Sequence, residues 1–200
     1  MSNPYKVTQD LEASLCQYTG SRFAVCVNSC SAAIFLSCLW LKQWLGGNSI
    51  ILPKRTYVSV PQAVIHAGYK VVFDDIQWRG WYQLSPLPVW DSARRFTSGM
   101  YRTGDFQCVS FSSSKILGIE QGGAILHDSP DADKWLRRMR FDGRTEGVSP
   151  EDDTFLLGYH LIMLPSIAAQ VNLKLHHLPR FNEDLPHYEY PDLSLQEAFK

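Results

Sequence analysis

"VSFSSSKILGIEQGGAIL" (residues 109–126) places a single lysine, Lys115, between a serine run and a double glycine, where an apolar strand gives way to a turn. A solvated surface lysine needs no such setting, whereas a lysine that forms covalent bonds does. Outward from this stretch, short apolar runs alternate with helical patterns. "RFAVCVNS", "SIILP", "YKVVFDDI", "LPVWDSA", "CVSFSSS" and "GGAILHD" read as strands. Helices are expected over "DLEASLCQYTG", ended by Gly20, over "SAAIFLSCLWLKQWLGG", opened by Ser31 as N-cap, and over "VPQAVIHAG", ended by Gly68. Two more follow, over "DADKWLRRMRFDG" and "SIAAQVNLKLHHL". Strands nearly continuous in apolar residues and separated by helices predict an α/β fold, with a mostly parallel sheet of about six strands flanked by helices.

Two hundred residues suffice for one core, and a net charge of −1 gives a polyanion nothing to bind, so no nucleic acid is expected. The longest apolar run, "AAIFLSCLWL", is about half of what a membrane span needs, and no membrane association is expected. Five scattered cysteines with no secretory segment before them read as reduced thiols of a cytoplasmic protein. No metal set is expected. His176 and His177 are adjacent and point to different helix faces, and Cys26 and Cys30 lack a third cysteine at position 33, which holds alanine.

Ligands of such sheets sit at the carboxyl ends of the strands. Those ends carry Asn28, Ser29, Cys30 and Ser31, then Thr56 and Tyr57, then Asp91, then Ser110 to Lys115. A carboxylate, a lysine, an aromatic ring and several hydroxyls meet on one edge, which is the set that pyridoxal phosphate chemistry requires. "SCSAAIF", "TYVS", "WDSARR" and "SFSSSKILGIEQGG", in this order, resemble the motifs of the DegT-type sugar nucleotide aminotransferases, which are fold-type I pyridoxal phosphate enzymes. The resemblance runs from about residue 4 to about residue 183.

The resemblance implies that Lys115 is the Schiff-base lysine, Asp91 the partner of the pyridinium nitrogen and Tyr57 the ring that stacks on the cofactor. It makes Ser31, Ser110 and the backbone of Cys30 ligands of the cofactor phosphate. Arg94 stands where the family has glutamine, near the cofactor's phenolic oxygen, and Cys30 stands where it has glycine. In "GYHLI", His160 and Ile162 replace an asparagine and an arginine that reach the neighbouring subunit's cofactor; His160 can still donate to a phosphate across a homodimer interface.

The resemblance further implies pyridoxal 5'-phosphate as cofactor. The reaction is transfer of an amino group from an amino acid donor, glutamate, to a keto group of a nucleotide-linked deoxysugar, as in polysaccharide biosynthesis. The alternative is a weak or inactive remnant of the fold acting as a binding or partner subunit. Residues 1–183 are expected to form a shortened large domain and 184–200 an irregular tail, with the family's small C-terminal domain missing. Between "YKVVFDDI" and "PVWDSA" only Gln77 to Pro88 intervene, too few for the helix and strand found there in relatives, so a central strand is expected to be deleted and its neighbours to close up. The Trp78, Trp81 and Tyr82 cluster in that connection is either core packing or a stacking platform.

Overall fold

The computed structural model describes residues 5–186 and 188–200; the first four residues of the expected large domain lie outside them. Seven strands and five α-helices follow one another as α1 (Lys6–Thr19), β1 (Phe23–Val27), α2 (Cys30–Lys42), β2 (Ser49–Pro53), α3 (Ser59–His66), β3 (Lys70–Asp74), β4 (Tyr82–Gln83), β5 (Val89–Asp91), β6 (Phe106–Ser110), β7 (Gly123–His127), α4 (Pro130–Met139) and α5 (Pro165–His176). Two 3-10 turns, Leu193–Leu195 and Glu197–Phe199, close the chain. The α/β class matches the sequence reading, and the pairing within the sheet corrects it.

Five strands form one sheet in the order β1-β7-β6-β5-β4, and β2 pairs with β3 beside it. In the larger sheet only β5 and β6 pair in parallel; β1 with β7, β6 with β7 and β4 with β5 are antiparallel. The reason lies in the connections. A parallel pair needs a crossover, usually a helix, whereas residues 111–122 between β6 and β7 and residues 84–88 between β4 and β5 hold none, so each connection must reverse the chain. β1, β5 and β6 still point the same way. Of the two reversed strands, β7 lies between β1 and β6 and β4 flanks β5 at the end of the order, which turns most of the pairings antiparallel and keeps three carboxyl ends on one edge.

The connection from Gln77 to Pro88 holds no helix, as expected, but the neighbouring strands do not close directly on each other. β4 lies antiparallel to β5, and just beyond it Ser85 bridges to Ile51 of β2, whose N–H donates to the Ser85 carbonyl at 2.8 Å. The short connection therefore fills the gap itself. Its aromatic residues divide: Tyr82 is buried, and Trp78 packs on it at 4.9 Å between ring centroids, whereas Trp81 pairs with Trp90 at 4.5 Å under the guanidinium of Arg95.

Helix α1 packs on the sheet through Leu11 and Leu15, and its buried Glu12 fastens three elements together. The carboxylate accepts from the Cys26 N–H of β1 at 2.9 Å and from Arg137 and Arg140, of and just after α4, at 2.5 Å each. Burial alone would raise the pKa of Glu12, but Arg140 and Arg137 more than offset this and hold it below its ordinary value. Removing one member of such a buried pair leaves an uncompensated charge.

His127 at the end of β7 is fully enclosed, with its ring centroid 5.5 Å from those of both Phe23 and Phe106. Burial pushes its pKa down from 6.5 to about 4, against the pull of Asp133 at 3.7 Å and of the Ser129 backbone. The unfolded chain thus binds a proton that the folded chain refuses, so stability is full above about pH 6.5 and falls as pH drops toward 4. Chemical denaturation across that window should show a loss of up to about 3 kcal/mol, and His127→Phe should flatten that segment. An equally steep profile in the variant would show that the acid sensitivity lies elsewhere.

Candidate active site

The shared carboxyl edge of β1, β5 and β6 opens into a cavity of about 360 Å³, within the range of small-molecule sites. Most of its walls follow from local sequence. After β1, Ser29 takes an extended conformation and its hydroxyl accepts from the Ala32 N–H at 3.1 Å, so Ser29, not Ser31, caps α2. Relieved of the capping role, Ser31 turns its hydroxyl to that of Ser59 on α3 at 2.6 Å, and both line the cavity. Cys30 likewise fits without blocking the helix start, because its thiol leans on the Cys108 carbonyl of β6 at 3.5 Å. The first turn of a thirteen-residue helix, with two hydroxyls beside it, favours an anion.

The double glycine explains how β7 comes so close to this helix start. Gly122 has φ 115°, in the left-handed region, and bridges to Ser29. A Cβ on Gly123 would lie 2.6 Å from the Cys30 nitrogen and 2.7 Å from the Val109 carbonyl oxygen, so any side chain there would push α2 off the sheet.

Asp91 ends β5, opposite Cys108 in the parallel ladder with β6. Its carboxylate is 6% exposed and accepts from the Ala93 N–H at 2.9 Å. Burial raises its pKa, opposed by that bond, by the Tyr82 hydroxyl and by the charges of Lys115 and Arg94. Tyr82 in turn is 2.5 Å from the Thr56 hydroxyl, which steadies it beneath the carboxylate.

Lys115 sits in the β6–β7 connection, whose ends are anchored by buried Phe111 and Leu117. A tight turn, Lys115 N–H to Ser112 carbonyl at 2.9 Å, holds the backbone, and Ser110, Ser112 and Ser114 line the wall below it. Burial and the neighbouring Arg94 lower the pKa of Lys115, and Asp91 draws it back up.

Of the residues singled out in the sequence, Cys30, Ser31, Tyr57, Asp91, Arg94, Ser110 and Lys115 all line this one cavity. Tyr57 is 57% exposed at its rim, edge-on to Tyr190 at 6.3 Å. His160 stands apart, exposed, with Nδ1 2.9 Å from Asp142 Oδ2. Sequence reasoning missed Ser59, Tyr188 and Tyr190, which also line the wall. The two tyrosines arrive because the chain folds back: Arg55 donates to the Tyr190 carbonyl at 3.0 Å, the Leu193 N–H to the Lys54 carbonyl at 2.9 Å, and the Leu193 side chain is buried. Tyr190 lies nearly parallel to Trp78 at 6.2 Å, which brings Trp78 into the wall as well.

The donor set fits pyridoxal phosphate: an amine of lowered pKa, a buried carboxylate coupled to it, a helix start flanked by hydroxyls, and aromatic rings at the rim. A buried guanidinium, that of Arg94, has Nε and Nη1 without partners in this same cavity.

The model of the DegT/DnrJ/EryC1/StrS aminotransferase family matches residues 1–98 and 98–186. Among solved structures, DesV of S. venezuelae, in complex with a ketimine intermediate, aligns at 21% identity and a TM-score of 0.69, over 86% of this chain and 57% of that one. Helicobacter pylori PseC, an aminotransferase involved in the biosynthesis of pseudoaminic acid, aligns at 16% and 0.71, over 86% and 57%. A 3-amino-5-hydroxybenzoic acid synthase aligns at 17% and 0.71, over 86% and 56%. The chain thus spans less than three fifths of the length of the structures it matches, and the likeness to them is one of fold.

The setting of Lys115 has a direct chemical consequence. Its reaction with an amine-directed reagent, followed by peptide mapping against pH, should show a midpoint below that of the chain's exposed lysines. Asp91→Asn, which removes the carboxylate that raises it, should lower the midpoint further. A midpoint equal to that of the exposed lysines would place Lys115 in solvent.

Proposed function

We propose, for a chain that belongs to the DegT/DnrJ/EryC1/StrS aminotransferase family, that it binds pyridoxal 5'-phosphate in the cavity above β5 and β6 and transfers an amino group from an amino acid, glutamate, to a keto group of a nucleotide-linked deoxysugar. Aminotransferases of this family are pyridoxal phosphate-dependent enzymes. The observation that carries the reading is that Lys115, buried Asp91 and the start of α2 line one cavity. When bound, the cofactor supplies an electron sink that makes the donor's α-hydrogen acidic.

Each residue then has a task that its setting suits. Asp91, shut away from water, keeps a proton on the cofactor's ring nitrogen. Its carboxylate needs such a cation beside it, because burial raises its pKa while positive neighbours lower it. Lys115 holds the cofactor and, once released by the donor amine, takes a proton at Nζ from the donor carbon and returns it on the far side of the transfer. A lysine whose pKa is lowered by burial and by Arg94 is suited to act as that base near neutral pH. Ser31, Ser110 and the backbone N–H of Cys30 hold the phosphate at the positive end of α2. Tyr57, exposed at the rim, folds onto the ring face, and Arg94 stands among the cofactor's polar contacts.

The sugar and its nucleotide are proposed on the family alone. PseC takes part in the biosynthesis of pseudoaminic acid, whereas a synthase of 3-amino-5-hydroxybenzoic acid shares the same fold. Residues 1–183 are proposed as the main cofactor-binding unit, to which residues 184–200 add Tyr188 and Tyr190 by folding back, and the setting is proposed as the cytoplasm.

The chain is proposed to work as a homodimer. Phe155 and Leu157 are exposed just before His160, and an apolar surface of this kind is ordinarily covered by a partner. His160, held by Asp142 outside its own cavity, would then face the partner's phosphate.

Two measurements test this reading. With glutamate, Asp91→Asn should slow the conversion of bound cofactor to its amino form on the order of a hundredfold, read by stopped-flow absorbance, while the cofactor stays bound. Equal rates would make Asp91 structural only. Sedimentation should give a dimer; a monomer that still binds the cofactor tightly would contradict the role of His160.

A further inference from the structure

Two cations and one anion line the cavity among the described residues: Lys115, Arg94 and Asp91, a formal charge of one positive unit. Arg94 is the cation whose role the fold leaves open. It is only 5% exposed, and its placement is built rather than accidental. Its N–H donates to the Gly80 carbonyl at 3.1 Å, its carbonyl accepts from the Leu185 N–H at 2.9 Å, and the Tyr188 ring covers its guanidinium at 4.4 Å. The Tyr190 oxygen accepts a hydrogen bond from it, yet Nε and Nη1 have no partner. A buried guanidinium with two unpaired donors is destabilising unless something supplies an acceptor. Among the described residues no carboxylate hydrogen-bonds to these two nitrogens: Asp91 accepts from the Ala93 N–H, and Asp184 of the returning segment accepts from Arg95 at 2.9 Å.

We propose that Arg94 is an anion receptor of the bound state: it takes an anionic oxygen of the molecule in the cavity, beside Lys115 and under the cover of Tyr188. The inference rests on the proposed function for its ligands and goes beyond it in assigning what Arg94 binds. That oxygen has two sources, the ionised phenolic oxygen of the cofactor or the carboxylate of the amino acid donor. Each supplies the missing negative charge and can accept from an orphaned donor. The aromatic cover has its own part, since a guanidinium stacked on a ring keeps its edge free for hydrogen bonds in the plane. Charge, not shape, distinguishes this residue from a glutamine, which donates one amide edge and no net charge.

The test uses the full chain loaded with pyridoxal phosphate, as wild type, Arg94→Gln and Arg94→Lys. Two quantities are read from the visible absorption: the pH midpoint of the bound cofactor, and the dissociation constant for glutamate. If the cofactor's oxygen is the ligand, Arg94→Gln should raise the midpoint by about one to three pH units, because a nearby positive charge favours the ionised form, and Arg94→Lys should restore most of the shift. If the donor carboxylate is the ligand, the midpoint should stay and the glutamate constant should rise about tenfold or more in Arg94→Gln. Either result supports the receptor and names its ligand. Arg94→Gln equal to wild type in both readings, with cofactor still loaded, overturns the inference and leaves the proposed function standing. Should Arg94→Gln fail to fold, Arg94→Met, which keeps an unbranched stem but removes the charge, decides: an unchanged midpoint and glutamate constant in it would overturn the proposal. A wild-type chain that takes up no cofactor would instead sink the proposed function.

Discussion

The parallel ladder between β5 and β6, with Asp91 opposite Cys108, is the constraint that the site depends on. It fixes a carboxylate at the end of one strand beside the strand that runs on through Ser110 into the Lys115 turn. A slip of one residue would turn Asp91 to the other face of the sheet and part it from the lysine. What holds the ladder is the apolar packing on either side: Val89, Cys108 and Ile125 against α2 on one face, Val109, Ala124 and Leu126 against α1 and α5 on the other. The chemistry at the edge therefore borrows its precision from a core that contains no chemistry.

The same edge shows how burial produces function. Desolvation is the largest cause of the shifts of both Asp91 and Lys115, raising the carboxylate and lowering the amine, with Arg94 adding to the second. Neither shift would survive on a solvated loop. The returning segment matters here, because Tyr188 and Tyr190 supply part of the wall that keeps water from Arg94 and Lys115.

Much of this was legible in the sequence, and the limits are physical. The strand-end residues could be read because α/β sheets gather ligands at carboxyl ends, a rule of topology that depends on strand direction rather than on pairing. The pairing itself was misread because an apolar run looks the same whichever way its neighbour runs. The signal that would have corrected it was present: no helical stretch separates "CVSFSSS" from "GGAILHD". Ser29 displaced Ser31 as helix cap because an N-cap must be extended, and a run of serines does not say where the chain leaves the extended region. Tyr188 and Tyr190 carried no signal at all. Their place depends on Leu193 finding a buried site against the Lys54 backbone, a long-range contact that no local pattern records. The double glycine was visible as a motif, but its cause, the 2.6 Å approach to the start of α2, exists only in three dimensions.

The account stands on Lys115 as the residue that bonds the cofactor. The most direct measurement is reduction of the pyridoxal phosphate-treated protein with borohydride, followed by digestion and mass mapping of the modified peptide. The account predicts one stoichiometric label, on Lys115, lost in Lys115→Ala. A label spread over exposed lysines, or none at all, would contradict it.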